Sequence, residues 1–196
     1  ELYDILHSAG IKTIHEISRC RNFDEYKTMS EANFNLVLHQ EARAAAEDFH
    51  ERLKIPFIEL RRLYQTDKIE NQYQAFGSVL GVTFDTTAYR KAAEQAVENF
   101  RKVCPDASFA VGECMNGDPF ELALALLKYG FKVPEIYGTI TVENFVYMKQ
   151  LALLSPTTKV FSNMEPTMIY YEPKESGVHI TIGKDALYYH QDCPGL

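Results

Sequence analysis

The sequence predicts an α/β protein of two units, each with a parallel sheet flanked by helices, joined by a helical connector. Helix and strand patterns alternate in both halves of the 196-residue chain, and such alternation places parallel strands beside one another through helical crossovers. Between the halves, two helix patterns follow each other without a strand. We therefore expect a partial first unit at residues 1–63, a helical connector at 64–104 and a second unit at 105–196.

The first unit shows three helix patterns and three strand patterns in alternation. Its clearest element is an Ala-rich helix at 41–54, in which apolar side chains recur every three or four residues. Pro56 near the start of the next strand suits that position, where a missing N–H is tolerated. Because no strand pattern precedes the first helix, we expect the chain to be cut from a longer protein. The expected elements are helix 2–9, strand 11–17, helix 23–32, strand 34–39, helix 41–54 and strand 55–60.

The connector and the second unit continue the pattern. Apolar spacing predicts the two connector helices, and strand-forming residues bounded by turn residues predict four strands in the second unit. The expected elements are helices 66–80 and 87–103, strand 108–111, helix 119–130, strand 133–140, helix 142–154, strand 159–162, a short helix at 164–171, strand 177–183 and helix 185–190.

The stretch from Ala107 to Gly130 is the best defined strand, loop and helix in the chain. Asp118 is predicted to be the N-cap, because its carboxylate can accept the first backbone N–H groups of the helix. Pro119 suits the first helical position and Gly130 suits the end. Ligands of parallel α/β sheets bind outside the carboxyl ends of the strands, so the loop at 112–118 is the first place to expect a site.

Charge and hydropathy exclude several classes of protein. The 27 acidic and 20 basic residues give a net charge of −7, which argues against a nucleic-acid-binding surface. No apolar run approaches the roughly 20 residues that a membrane helix needs. No secretion signal is visible, and the four cysteines lack the CxxC spacing of zinc or iron-sulfur sites. We therefore expect a cytoplasmic protein with free thiols, and the sequence assigns no metal ligands.

Three segments, taken in order, resemble a known family. Asn35-Leu-Val-Leu-His leads to the Ala-rich helix and then to Lys54-Ile-Pro-Phe-Ile, and Ala107–Gly130 supplies a strand, a Gly-containing loop and a helix. The third segment is Val178-His-Ile-Thr-Ile-Gly-Lys-Asp-Ala-Leu-Tyr-Tyr-His-Gln-Asp-Cys-Pro. This order is similar to that of nitrogenase component 1, the molybdenum-iron protein, and its relatives. These include cofactor-assembly scaffolds and tetrapyrrole reductases.

The resemblance implies Rossmann-like units within a subunit of three such domains. It also implies an iron-sulfur or related metal cluster, or a tetrapyrrole, held between domains. Further implications are a paralogous or identical partner subunit and electrons from an ATP-dependent iron-sulfur reductase. The cluster cysteines of the family lie mainly in a domain that precedes this segment, so we expect no cofactor and no activity in the segment alone. Whether the complete protein is an enzyme stays open, and no catalytic residue is assigned.

His39 and Gln40 are candidate cofactor-binding residues by resemblance. They stand at the strand end where the nitrogenase catalytic subunit has a cofactor-ligating cysteine, which makes a molybdenum-iron cofactor site of that kind unexpected. A histidine near neutral pH can ligate a metal or move a proton. The alternative for His39 is a structural hydrogen bond at the strand end.

The loop before the helix at 119 supplies the other candidates, which are Cys114, Asn116, Gly117 and Asp118. Backbone N–H groups at a helix N-terminus attract anions, whereas Asp118 itself has the alternative role of a cap. We expect this loop and the His39 loop to face each other across a cleft. Two other functions stay open: a cofactor-assembly scaffold of the same fold, and a two-lobed small-molecule or metal-chelate binding protein.

Overall fold

The computed structural model describes residues 2–113, 117–174 and 176–195. The chain divides into two compact units, Glu1–Arg61 with Glu70–Thr86 and Arg62–Ile69 with Thr87–Leu196. Each unit contains a parallel sheet and helices, which confirms the predicted α/β class. Most of the first predicted connector helix belongs to the first unit, and the second connector helix belongs to the second unit.

The first unit is built on two short parallel strands. Strand β1 (Asn35–Val37) pairs with β2 (Phe57–Glu59) in a register that places Asn35 opposite Phe57 and Val37 opposite Glu59. Leu6, Leu60 and Phe76 form its buried cluster. Its helices and strands are α1 (Leu2–Ser8), α2 (Phe23–Lys27), β1 (Asn35–Val37), α3 (Arg43–Leu53), β2 (Phe57–Glu59) and α4 (Thr66–Leu80), with 3₁₀ turns at Ile17–Arg19, Thr28–Glu31 and Gln40–Ala42.

The strand predicted at 11–17 is wrong. Residues 11–16 form no strand, and Ile17 begins a 3₁₀ turn. Ile11 and Ile14 pack, half-buried, against the cluster of Leu6, Leu60 and Phe76. The apolar residues thus face the core at an interval of three. Alternation alone could not distinguish this extended segment from a strand, because a strand also needs a neighbour to pair with.

The second unit is built on four parallel strands, β3 (Ser108–Val111), β4 (Lys132–Gly138), β5 (Lys159–Ser162) and β6 (Ile180–Ile182). Their order in the sheet is β5-β4-β3-β6. The short helix predicted at 164–171 is the 3₁₀ turn Pro166–Tyr170, which begins after Glu165. The remaining elements follow the predicted order. They are α5 (Thr87–Val103), β3 (Ser108–Val111), α6 (Pro119–Lys128), β4 (Lys132–Gly138), α7 (Phe145–Leu154), β5 (Lys159–Ser162), β6 (Ile180–Ile182) and α8 (Lys184–Tyr189).

Strand β3 and helix α6 form the centre of the second unit. All four residues of β3 are buried, as expected for an inner strand of a parallel sheet covered on both faces. Phe120, Ala123 and Leu124 of α6 are fully buried against this strand and its neighbours. Because both elements are fixed by the core, the loop that joins them starts and ends at defined points.

Pro134 lies at a bulge in β4. The pairing advances by two residues along β3, from Ser108 to Ala110, but by three along β4, from Lys132 to Glu135. Such an extra residue suits a proline, which cannot donate to the ladder. The bulge also changes which residues share a face. Val133 and Ile136 pack in the cluster around α6, whereas Tyr137 packs in the cluster on the opposite face.

Across residues 2–113, 117–174 and 176–195, we find no helix with the length and apolar character that membrane crossing requires.

Candidate functional site

The loops at the carboxyl edge of the four-stranded sheet are linked by side-chain hydrogen bonds. Glu113 follows β3, and its Oε1 accepts the backbone N–H of Thr139 after β4 at 2.7 Å. Asp185, beyond β6, accepts the backbone N–H of Glu113 at 3.2 Å and the side-chain amide of Asn163 after β5 at 3.0 Å. Two carboxylates therefore join the loops of all four strands, at the edge where ligands of such sheets bind.

Two glycines allow the loops after β3 and β6 to approach closely. Gly183 has φ +90°, and a Cβ at this position would lie 2.7 Å from the carbonyl oxygen of Glu113. A Cβ at Gly112 would lie 2.7 Å from the backbone nitrogen of Ala186. The Gly112 N–H donates to the Ile182 carbonyl at 2.6 Å, which extends the strand pairing by one residue. Any side chain at either glycine would force these loops apart.

Asp118 is the N-cap of α6, as the sequence predicted. Its Oδ1 accepts the backbone N–H groups of Phe120 at 2.8 Å and Glu121 at 3.2 Å. Its Oδ2 accepts the side-chain amide of Asn144 at 2.7 Å. Both carboxylate oxygens of Asp118 thus accept hydrogen bonds. Oδ1 fixes the start of α6, and Oδ2 holds Asn144, which precedes α7.

Gly117 lies against the segment that precedes α4. It forms a bridge with Arg62, and a Cβ on Gly117 would collide with the hydroxyl group of Tyr64. Cys114 and Asn116, the other two candidates in this loop, lie outside the described residues.

His39 is the N-cap residue of the short 3₁₀ helix Gln40–Ala42. Its Nδ1 accepts the backbone N–H of Glu41 at 3.4 Å and lies 3.6 Å from a carboxylate oxygen of Glu41. An accepting Nδ1 places the proton of the neutral ring on Nε2. In the described ranges Nε2 has no hydrogen-bond partner, and the side chain is 40% exposed. Gln40 is exposed at the start of the turn.

The described candidates do not by themselves form a metal site. Within the described parts of the chain, no group of three or more His, Cys, Asp or Glu side chains could hold a metal ion. Asp118 is committed to its cap, and Gly117 has no side chain. The cofactor-binding role of the candidates therefore stays a prediction.

The sequence did not reveal a buried polar cluster on the opposite face of the sheet from α6. Glu135 Oε2 lies 2.7 Å from His190 Nε2 and accepts the Tyr137 hydroxyl at 2.7 Å. Glu135 Oε1 accepts the Tyr171 hydroxyl at 3.2 Å. Burial, and then the neighbouring Glu135 carboxylate, raise the pKa of both Tyr137 and Tyr171 above the ordinary range. The sequence feature that could have indicated this cluster was Glu135, a glutamate within an apolar strand pattern.

A second buried carboxylate holds the segment before α4. Glu121 is fully buried in the first turn of α6. It accepts the backbone N–H of Tyr64 at 2.8 Å, and the backbone N–H and side-chain amide of Gln65 at 3.3 and 2.8 Å. The Lys128 ammonium donates to the side chain of Gln65. The sequence pattern placed Glu121 on a helix but gave no sign of its burial.

A parallel sheet, helices on both faces and polar loops at the carboxyl edge define a Rossmann-like α/β protein. Over residues 1–193 the sequence matches the family described as nitrogenase component 1 type oxidoreductase, and the chain belongs to that family. This confirms the predicted resemblance. No match is found among curated proteins.

A solved structure described as "Nitrogenase Cp1 at pH 6.5" has a similar fold, with a TM-score of 0.67 at 15% sequence identity. The alignment covers 100% of this chain and 48% of that one. The chain therefore spans about half the length of this structural relative, and a likeness at such low identity shows the fold alone.

Proposed function

We propose that the chain is part of an oxidoreductase subunit that, at full length, holds a metal cluster or a tetrapyrrole. The subunit receives electrons from an ATP-dependent iron-sulfur reductase and works beside a paralogous or identical subunit. The observation that supports this proposal is the family match over residues 1–193. The bound cofactor would supply the electron transfer, and the residues of this chain would position it.

Within this proposal, the candidate cofactor-binding residues lie on two loops, one in each unit. His39 offers Nε2, because its Nδ1 is occupied by the turn it caps, and Gln40 offers an exposed amide. Ligation through Nε2 would require the ring proton to move to Nδ1, which would end the hydrogen bond from the Glu41 N–H and leave the proton facing the Glu41 carboxylate 3.6 Å away. The loop of Cys114, Asn116, Gly117 and Asp118 provides the other contacts. Asp118 acts in this loop through its cap, by fixing the chain direction next to the cofactor.

Metal analysis of the full-length protein tests the proposal. We expect protein purified without oxygen to contain iron and acid-labile sulfide, or to show tetrapyrrole absorbance, and to oxidise a reduced iron-sulfur partner in the presence of ATP. A fully folded, active protein that contains neither cofactor would overturn it. A protein that carries a cluster but shows no reductase-dependent turnover would indicate the assembly scaffold instead.

A pair of histidine variants tests the contact assigned to His39. His39→Ala should lower cofactor occupancy or shift its absorbance spectrum. The matched change His15→Ala should not, because His15 is exposed in the segment before the first 3₁₀ turn and has no proposed role. Equal spectra and equal occupancy for both variants would remove His39 from the site while leaving the family assignment intact.

A further inference from the structure

The C-terminal part of the second unit contains a pocket with aromatic walls and acidic residues. Its volume is about 290 Å³, and it is lined by two short stretches of chain, Ile169 with Tyr171, Glu172 and Pro173, and Tyr188 and Tyr189 with Gln191 and Asp192. Tyr171, Tyr188 and Tyr189 supply three rings, and Glu172 and Asp192 supply two carboxylates. No lysine or arginine is among the described residues of the lining. The pocket is therefore suited to a positive charge.

The aromatic walls are held in place by the interior of the unit. The Tyr171 hydroxyl donates to Glu135, which is 1% exposed, and the Tyr189 hydroxyl donates to the Met168 carbonyl at 3.2 Å. The Tyr171 and Tyr189 rings meet at 69° with centroids 5.7 Å apart, and the Tyr189 and Tyr188 rings meet at 89° with centroids 5.1 Å apart. Two of the three rings are thus fixed before any ligand arrives, which lowers the entropy cost of binding.

We propose that this pocket binds a guanidinium group. A flat cation can stack on a tyrosine face while its N–H groups donate to a carboxylate, so both features of the pocket are used at once. A guanidinium is also less strongly hydrated than an ammonium group, and therefore loses less on entering an aromatic site. Burial raises the pKa of Tyr171 and Tyr189, so both phenols stay neutral. The pocket carboxylates repel anionic ligands.

The guanidinium could belong to a small free molecule or to an arginine side chain of a partner protein. Both present the same group, and the volume of the pocket admits either. Tyr188 lines the pocket and is 64% exposed, so either ligand would cover part of its side chain. The binding does not depend on the proposed cofactor, because none of the candidate cofactor residues lines the pocket.

Titration of the full chain with N-acetyl-arginine amide tests the proposal, with binding followed by the tyrosine ring signals in NMR spectra. The neutral isostere N-acetyl-citrulline amide is the control ligand. We expect saturable shifts for the arginine compound and none for citrulline at the same concentration. Glu172→Gln and Asp192→Asn should each weaken binding about three-fold, because each removes an exposed charge partner. Tyr188→Ala should weaken it about five-fold.

Asp24→Asn, an exposed acid in α2, is the matched control and should leave the affinity unchanged. Equal binding of citrulline, or undiminished affinity in both the Glu172 and Asp192 variants, would overturn the proposal. Because these acids are exposed, their loss leaves the fold intact and the outcome can be interpreted.

A comparison of agmatine with a Gly-Arg-Gly peptide distinguishes the two sources of the guanidinium group. Tighter agmatine binding indicates a free cation, and tighter peptide binding indicates a protein side chain.

Discussion

The carboxylate of Glu135 lies 2.7 Å from Nε2 of His190, and the two side chains are only 1% and 6% exposed. Glu135 belongs to strand β4, and His190 follows helix α8 near the end of the described chain. The contact therefore ties the C-terminal segment to the interior of the sheet. Glu135 and Tyr137 share a face of β4 by strand alternation, because both residues follow the bulge at Pro134.

His190→Ala should lower the free energy of unfolding by about 1–3 kcal/mol, because the buried carboxyl group of Glu135 loses one of its three hydrogen-bond partners. Urea denaturation followed by circular dichroism measures this loss. His179→Ala is the matched control, since His179 is exposed just before β6 and should change stability by less than about 0.5 kcal/mol. Similar midpoints for the two variants would show that the Glu135–His190 contact contributes little.

Tyr137 should cause the free energy of unfolding to decrease at alkaline pH. Burial and Glu135 raise its folded-state pKa above the ordinary value of about 10, so the phenol stays neutral in the folded chain while it ionises in the unfolded chain. Its stabilisation is full below pH ~10 and decreases by about 1.4 kcal/mol per pH unit above that value, until the folded-state pKa is reached.

Denaturant unfolding at a series of pH values from neutral to strongly alkaline checks this sign. The stability difference between the wild-type chain and Tyr137→Phe should narrow as the pH rises. Tyr170→Phe is the control, because Tyr170 is 81% exposed, and its curve should run parallel to that of the wild-type chain. A constant difference between wild type and Tyr137→Phe would mean that Tyr137 ionises normally.

Local sequence signals predicted elements well where a residue acts through its neighbours in the chain. Asp118 and Pro119 marked the start of α6, because capping needs only the next three backbone N–H groups. The alternation from Ile11 to Ile17 failed, because a strand requires a distant partner that the local pattern does not contain. The bulge at Pro134 was missed for the same reason, since it is defined by pairing with β3.

The sequence could predict that a site lies at the carboxyl edge of the sheet, but it could not predict the hydrogen bonds there. The sequence placed a loop after β3, which follows from strand and cap signals alone. That Glu113 and Asp185 bridge four loops depends on the strand order β5-β4-β3-β6, which no local pattern specifies. The burial of Glu135 and Glu121 likewise depends on distant partners, since His190 is 55 residues from Glu135 and Gln65 is 56 residues from Glu121.

Asp118→Ala should lower the free energy of unfolding by about 1–2 kcal/mol, because it removes the cap of α6 and one partner of Asn144. Asp118→Asn should cost less, since the amide oxygen can still accept the helix N–H groups. Chemical denaturation of both variants measures the order. A loss of cofactor from the full-length protein without any loss of stability would instead support direct binding by Asp118.

Gly183→Ala should be clearly more damaging than Gly10→Ala, although both glycines have positive φ values, +90° and +84°. An added Cβ at Gly10 meets no atom within 4 Å, so its cost is the strained backbone alone, about 1 kcal/mol. At Gly183 the Cβ would lie 2.7 Å from the Glu113 carbonyl oxygen, and backbone atoms cannot rotate away as a side chain can. The backbone displacement that this contact requires should lower the free energy of unfolding by a further ~1–3 kcal/mol.

The same displacement should separate the loops after β3 and β6, so the hydrogen bond from Glu113 N–H to Asp185 would lengthen or break. Amide hydrogen exchange at Glu113 should therefore speed up in Gly183→Ala and stay at the wild-type rate in Gly10→Ala. Thermal unfolding of the two variants measures the stability difference. If they melt together and Glu113 remains protected, the loop has room to adapt and the close approach at Gly183 does not determine the edge of the sheet.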